Sequence, residues 1–411
     1  MTAEAGDGAG DGAGDPVTGD DGAAGPLAGL LVADFSRVLA GPLSSMVLAD
    51  LGATVIKVER PGSGDDTRAW GPPYVGPLST YYTSVNRNKL SAVLDLDDTE
   101  DLALAGTLAR RADVLLENFR PGKMADFGLD AATLLADHPG LVYCSISGFG
   151  SGAGAALPGY DFVVQAVGGL MSITGHADGG PTKAGVALVD VLTGLNATIG
   201  ILAALRERDR TGRGQVVEVN LLSSLLSALV NQGAAYLNGN PPPGRLGNRH
   251  PSIAPYETLA TGDGVIAVAV GNDRQFARFA QAVDRPELAA DPRFRHNPDR
   301  VAHRDQLVAE LEAALAGDDA AGWTRRLQDA GIPCGPVNDL AGAVELATRL
   351  GLDPVVTLPS AQGHPIATMA NPVRLSASPA RYHRAPPALG ADTAQVRAWL
   401  AAGADRVAIP R

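Results

Sequence analysis

The sequence predicts an α/β fold with a large domain built on a parallel sheet and a smaller α+β domain later in the chain. Three observations lead to it. Short apolar or β-branched runs alternate with amphipathic stretches over residues 30–147, the rhythm of repeated strand–helix–strand units. A break at Asn240-Pro241-Pro242-Pro243-Gly244 separates that region from a block of two strands followed by helices. The chain has 411 residues, more than one ordinary core serves.

The elements follow in order. Residues 1–25 are set apart by composition, with a stretch Gly6-Asp-Gly-Ala-Gly-Asp-Gly-Ala-Gly-Asp-Pro16 that is acidic, Gly-rich and without large apolar side chains. Such a stretch cannot bury enough surface to order itself, so a disordered leader is expected there. It lacks the basic start and apolar run of a secretory signal. Leu30 to Phe35 has the length of a buried strand, Pro42 to Leu51 reads as a helix closed by Gly52, and Thr54 to Glu59 is a β-branched strand. Leu90 to Leu96, Asp113 to Glu117 and Leu141 to Ser147 continue the strands. Thr99 to Arg110 and Ala131 to Asp137 are the helices between them, the first acidic at its start and basic at its end, as a helix dipole favours. Gly185 to Arg206 is a long helix whose Gly194, Ala197, Gly200 and Ala204 permit close packing. A strand ending at Asn220 and an apolar helix over Leu221 to Leu237 complete a doubly wound, Rossmann-like domain over residues 26–240.

Tyr256 to Val270 reads as two strands joined at Gly262-Asp263-Gly264, with helices at Asp273 to Val283, His303 to Ala316 and Ala320 to Ala330. This gives a small α+β domain over 245–345. Residues 346–411 again carry strand and turn signals, and are expected to return to the first domain.

Composition narrows the function. The net charge of −12 argues against generic nucleic-acid binding, which needs a basic surface. No uninterrupted apolar run reaches the roughly 18 residues of a membrane span. Cys144 and Cys334 lie far apart and match no metal spacing, and a reducing, cytoplasmic setting is the simplest reading.

Several residues have the chemistry for a site. Asp190 lies in Lys183-Ala-Gly-Val-Ala-Leu-Val-Asp190-Val-Leu-Thr-Gly194, flanked by apolar residues. A carboxylate there is either a helix N-cap or a functional group kept partly dry, and the two are compatible. Gly148-Phe-Gly-Ser-Gly152 and Gly247-Asn-Arg-His-Pro-Ser252 are loops whose N–H groups can approach an anion, or ordinary turns. Arg37, Lys57, Arg60 and Arg68 cluster near strand ends, where guanidinium groups suit phosphates or form a solvated rim. Neither a P-loop nor a GxGxxG follows the first strand.

The order of these segments resembles one family. Asp34-Phe-Ser-Arg-Val-Leu-Ala-Gly-Pro42, Leu51-Gly-Ala-Thr-Val-Ile-Lys-Val-Glu-Arg60 and Gly62-Ser-Gly-Asp-Asp-Thr-Arg68 are similar to the start of class III CoA-transferases. That family includes formyl-CoA transferase, carnitine CoA-transferases and alpha-methylacyl-CoA racemase. Asn86-Arg-Asn-Lys89, Glu117-Asn-Phe-Arg-Pro-Gly122, Ser145-Ile-Ser-Gly-Phe-Gly150, Gly159-Tyr160-Asp161-Phe162, Thr211-Gly-Arg-Gly-Gln215 and Gly331-Ile-Pro-Cys-Gly-Pro336 continue the resemblance over residues 26–395.

The resemblance implies an enzyme that moves CoA between carboxylic acids, with Asp190 carrying first the acyl group and then CoA. Gly247 would shield or polarise the intermediates. Family CoA contacts map to Arg37, Val38, Ala40, Arg60, Asn118 and Phe119, with Arg68 and Lys123 as further cations for the phosphates. Asp126 stands where the family commonly has Arg or Lys. Tyr160 falls where transferases of the formyl type place a tyrosine and the racemase branch a histidine. A phenol is a poor base at neutral pH, which favours transfer over the alternative, racemisation of an alpha-methylacyl-CoA. The Gly247–Tyr256 stretch looks like succinyl-CoA-dependent dicarboxylate transferases, so Arg249 or His250 would meet a second carboxylate. CoA thioesters are expected as substrates with no permanently bound cofactor and no metal. The family architecture implies an interlocked homodimer with no nucleic-acid or membrane partner.

Overall fold

Alternation along the strands decides which side chains reach the two faces of the main sheet. In strand β1 (Leu31–Asp34), Leu31 and Ala33 point to one face while Val32 and Asp34 point to the other. The structure is a computed structural model that describes residues 25–361 and 363–402. The leader expected over residues 1–25 lies outside the described residues except for Gly25, as do residues 403–411 of the C-terminal segment.

Five further strands join β1: β2 (Thr54–Glu59), β3 (Lys89–Val93), β4 (Val114–Glu117), β5 (Val142–Ser147) and β6 (Val216–Asn220). They pair in the order β3-β2-β1-β4-β5-β6, all parallel. The order reverses at β1. Beyond the carboxyl ends of the strands, that reversal opens the crevice in which open α/β sheets take ligands.

Helices cover both faces. On one side α2 (Thr99–Arg111) and α3 (Ala131–Asp137) pack Ala105, Leu108 and Leu134 against Leu31, Ile56, Leu90 and Leu115. The C-terminal helix α11 (Thr393–Ala401) joins this core through Val396, Trp399 and Leu400. On the other side lie α1 (Ala40–Asp50) and the long α5 (Leu188–Thr211), burying Leu48, Ala197, Ile201 and Leu205 over Val32, Val55 and Val142. By length and composition α5 could cross a membrane. Here its Val189, Ala197, Ile201 and Ala204 are buried in the second core.

A three-stranded antiparallel sheet forms the core of the later unit: β7 (Tyr256–Ala260), β8 (Val265–Ala269) and β9 (Cys334–Pro336). Helices α8 (Asp273–Ala282), α9 (Arg304–Leu315) and α10 (Ala320–Asp329) pack Phe276, Leu311 and Trp323 onto it. The chain then runs back along the first unit. Asp392 accepts the Ser91 N–H at 2.9 Å, and Asn371 donates to Asp50 at 3.2 Å.

Two helices depart from the sequence expectation. The stretch Leu221 to Leu237 is two helices, α6 (Leu221–Ala228) and α7 (Val230–Leu237), because Val230 turns to φ +38° and stops the first. Helix α5 starts three residues later than the expected Gly185 and runs to Thr211, where Gly212 closes it with left-handed backbone.

Gly194 fixes the crossing of α5 over α1. A Cβ at that position would lie 2.6 Å from the Ala40 carbonyl oxygen and 3.3 Å from Leu43. Asp190 stands one turn earlier on the same face, so the close approach carries it to the start of α1. Gly194→Val is expected to lower the unfolding free energy by about 1 to 3 kcal/mol, read by urea titration. An unchanged midpoint would show that the crossing has room to spare.

Candidate active site

The site is assembled where the long helix begins. Ala187, not Asp190, holds the N-cap position of α5, and it offers no capping side chain. Asp190 lies within the first turn, so the N-cap reading of this residue is not how the structure uses it. The capping is done from outside. The buried carboxylate of Asp161 accepts the N–H of Val189 at 2.7 Å and of Asp190 at 3.2 Å. Asp161 opens the short helix α4 (Asp161–Val167), directly after Tyr160. Gln165, one turn on, donates to Asp161 at 2.6 Å and accepts the Ala184 N–H at 2.9 Å. The approach to α5 is thereby tied to α4.

This arrangement leaves the Asp190 carboxyl in a half-dry position. Burial, and then the negative charge of Asp161, pushes its pKa up to about 7. The carboxyl group faces a cleft of about 390 Å³ lined by Arg37, Val38, Ala40, Asn118, Phe119, Gly148 and Tyr160. Tyr160 lines the cleft and is 60% exposed. Its neighbour Gly159 crosses Gly148 so tightly that a Cβ on either would lie within 2.7 Å of the other's Cα. Both glycines line the cleft with Asp190.

A second cleft, of about 260 Å³, adjoins the first and shares Arg37 and Phe119 with it. Arg60, Lys123, Leu94, Leu96 and Phe127 also line it. Its apolar side chains share the walls with four cations, Arg37, Lys57, Arg60 and Lys123, and four acids, Glu59, Asp65, Asp95 and Asp97. Arg37 and Arg60 both pair with Asp66, and Lys123 pairs with Asp126 at 3.2 Å, all on the surface. One end of the combined trough offers the Asp190 carboxyl, and the other offers cations and acids beside the rings of Phe119 and Phe127. That suits a long ligand with an electrophilic end and a phosphorylated end.

Residues 27–393 match the family described as CoA-transferase family III. The chain belongs to that family. It is similar to a succinate–glutarate CoA-transferase of Agrobacterium fabrum, with 42% identity covering 91% of this chain and 96% of the relative. An acetyl-CoA:oxalate CoA-transferase of Acetobacter aceti is 44% identical over 78% of this chain and 83% of its own. Among solved structures, a CAIB/BAIF family protein from Brucella suis superposes with a TM-score of 0.81 and 40% identity, over 92% of this chain and all of that one. The chain is therefore an enzyme that transfers CoA between an acyl-CoA and a carboxylate.

In this CoA-transferase the residues singled out from the sequence fall into separate groups. Asp190, Tyr160, Arg37, Val38, Ala40, Asn118 and Phe119 meet in the first cleft, and Arg60 and Lys123 lie in the second. Arg68 lines neither. Its guanidinium is bound to Glu59, with a 2.7 Å bond to Oε1, and to the Tyr82 hydroxyl and the Pro387 carbonyl. Gly247, Arg249 and His250 also stand outside the Asp190 cleft of their own chain. Gly247 donates to the Gly175 carbonyl, Arg249 pairs with Glu257 and Asp305, and His250 packs on Tyr256.

The sequence assigned no part to Asp161 or Tyr81. Asp161 was visible only as the residue after Tyr160, and an acid at the start of a helix is commonplace. The Tyr81 phenol is pushed up to about 12 by burial, then by the charges of Asp190, Asp161 and Asp65, which places it within reach of the Asp190 field. Trp70 holds its ring edge-on at 5.1 Å.

The raised pKa of Asp190 has a consequence for stability. In the unfolded chain this carboxyl ionises near 3.8, in the folded chain near 7. Between those values the folded state binds the extra proton, so the Asp190 contribution falls as pH rises from 4 to 7. Asp190→Asn removes that slope. Urea titrations should find the variant more stable than wild type at pH 8, by on the order of 4 kcal/mol, with the difference nearly gone at pH 4. Parallel curves across that range would place Asp190 in water.

Proposed function

We propose that this CoA-transferase moves CoA from succinyl-CoA to a small dicarboxylic acid, with Asp190 as the covalent carrier. The observation that supports this most directly is the half-buried Asp190 carboxyl, held near neutrality, in a cleft that adjoins a second one bearing Arg60 and Lys123. The names of the relatives, which include succinate–glutarate and acetyl-CoA:oxalate transferases, support the choice of dicarboxylates.

The steps follow from that placement. The ionised Asp190 attacks the thioester carbonyl, the C–S bond breaks, and CoA leaves as thiolate while a mixed anhydride forms. The thiolate attacks the Asp190 carbonyl, releasing the donor acid and leaving an aspartyl-CoA thioester. The acceptor carboxylate then attacks that thioester, and the freed thiolate attacks the acceptor side of the new anhydride. Acceptor-CoA departs and Asp190 is restored. Arg37 and Phe119 bridge the pantetheine path, while Arg60 and Lys123 meet the phosphates. Tyr160 at the mouth shields the intermediates and offers no base for α-proton exchange, and among the described residues no histidine lines the cleft.

The reading extends to assembly. Leu195 and Ile199 on α5, Leu226 on α6 and Val230 and Leu237 on α7 are exposed apolar residues, a surface that suits burial in an interlocked homodimer. There, Gly247, Arg249 and His250 of one subunit would serve the Asp190 cleft of the other. We place the enzyme in the cytoplasm. Its two cysteines are unpaired, which fits a reducing compartment, and no resident cofactor enters the scheme.

Two experiments follow. With succinyl-CoA as donor, mass spectrometry of a panel of mono- and dicarboxylic acids should show CoA transfer at least about tenfold faster to the dicarboxylates, in line with a site built for a second carboxylate. In the same mixture hydroxylamine should modify Asp190. Transfer to no dicarboxylate would sink the substrate assignment, and an active Asp190→Ala variant would sink the carrier.

The second is a pH profile. The attacking carboxyl must be ionised, so kcat/KM for the donor should fall as pH drops below about 7. Asp161→Asn removes a neighbouring negative charge and should move that midpoint down by about half a unit to one unit. An unmoved midpoint would assign the titration to another group.

A further inference from the structure

The turn between β1 and α1 is held in a conformation that its own sequence disfavours. Val38 has a φ of +71°. In that left-handed region a β-branched side chain crowds its own backbone, and glycine or asparagine is the usual occupant. Val38 and Ala40 nevertheless line the Asp190 cleft, and Arg37 lines both clefts.

Side chains from three other segments grip this turn. Ser36 donates its N–H to Asp34 at 2.9 Å, and its carbonyl accepts from Lys57 Nζ at 2.7 Å. Arg37 donates its N–H to Asn118 Oδ1 at 2.9 Å, and its carbonyl accepts from Asn118 Nδ2 at 2.7 Å. Val38 donates its N–H to the Asp65 carboxylate, 3.3 Å from each oxygen.

Lys57 and Asp65 are themselves paired at 2.9 Å, with side chains 1% and 0% exposed. A buried ion pair is not an efficient source of stability, since well-packed apolar residues generally serve as well. Capping explains only part of Asp65, through its bonds to the Thr67 N–H and hydroxyl. Neither capping nor stability accounts for both members of the pair reaching the backbone on either side of Arg37.

We propose that Lys57 and Asp65 are positioning residues for the bound thioester, holding Val38 in the left-handed turn that shapes the wall of the Asp190 cleft. This rests on the reading of that cleft as the CoA site. The pair also borders the second cleft, but it is absent from the lining of the Asp190 cleft and acts there through the Arg37–Val38 backbone.

The test is a rescue cycle in the full-length enzyme, since a purely structural role would not be rescued at position 38. Asp65→Asn should raise KM for the acyl-CoA donor at least tenfold while kcat changes less than threefold. Adding Val38→Gly, which adopts the turn without crowding, should bring KM to within threefold of that of the Val38→Gly single variant, which takes account of any contact the valine itself makes in the cleft. The melting temperature should stay depressed, because Lys57 remains unpaired in both. The same cycle on Lys57→Gln, which leaves Asp65 its bonds to Thr67 and Val38, should give the same pattern. If KM is unmoved in either folded variant, or glycine does not restore it, the proposal is overturned. Failure of both variants to fold would assign the pair to stability alone and overturn it too. A wild-type chain that binds no CoA would instead remove the CoA reading of the cleft, before any variant is compared.

Discussion

Three cations and three carboxylates lie together on the α1 face of the main sheet, almost wholly out of water: Lys57, Lys89 and Arg68 with Asp34, Glu59 and Asp65. Strand alternation puts them there. Val32 and Val55 fill that face lower down, and two residues on each strand becomes Asp34 and Lys57, paired in register. Burial opposes ionisation of Asp34, yet Lys89 and Lys57 hold its carboxyl below the usual range. Lys89 is less well compensated, and burial brings it down to about 8. Removing a single member of such a network leaves an uncompensated charge, at a penalty of about 3 to 5 kcal/mol. The network also sets the height of the β1–α1 turn, so the positions of Arg37 and Val38 are fixed from beneath rather than by their own preferences.

Asp190 is positioned by a different balance. Its helix begins with unsatisfied N–H groups, and the positive end of the helix dipole favours a carboxylate in the first turn. Asp161 takes up two of those N–H groups and contributes a like charge at close range. The two acids thus divide the work. Asp161, with three hydrogen-bond donors aimed at it, anchors the helix start, and Asp190 is left with the desolvation. The result is a carboxyl that ionises near neutrality, where a surface aspartate would be fully charged and strongly hydrated.

The legible parts of this arrangement were those written in one contiguous stretch. Strand alternation and β-branching marked Thr54–Glu59, and the acidic start of Thr99–Arg111 marked its helix. Asp190 was visible because an acid among apolar residues is anomalous wherever it occurs. Long-range pairing was not legible. Arg68 has the same local signature as Arg60, a cation after a strand, but Glu59 and Tyr82 claim it from other segments. The cap of α5 comes from a residue 29 positions before Asp190, and no local pattern announces such a partner. Nor could sequence spacing say that Arg249 would meet Glu257 and Asp305 within its own chain.

The elevated pKa of Asp190 also bears on the fate of the proposed anhydride. The thiolate can attack either carbonyl, and each choice expels the opposite carboxylate. A substrate carboxylate ionising near 4 to 5 is a weaker base than an Asp190 carboxylate ionising near 7. Attack at the Asp190 carbonyl therefore expels the better leaving group and yields the aspartyl-CoA thioester. Burial of Asp190 thus acts twice. In the proposed cycle it strips water from the nucleophile before the first step and favours the aspartyl-CoA thioester in the second, while the closing attack on the acceptor side has to expel the more basic Asp190 carboxylate. A fully solvated aspartate at the same place would lose both effects, because its basicity would match that of the acids it exchanges.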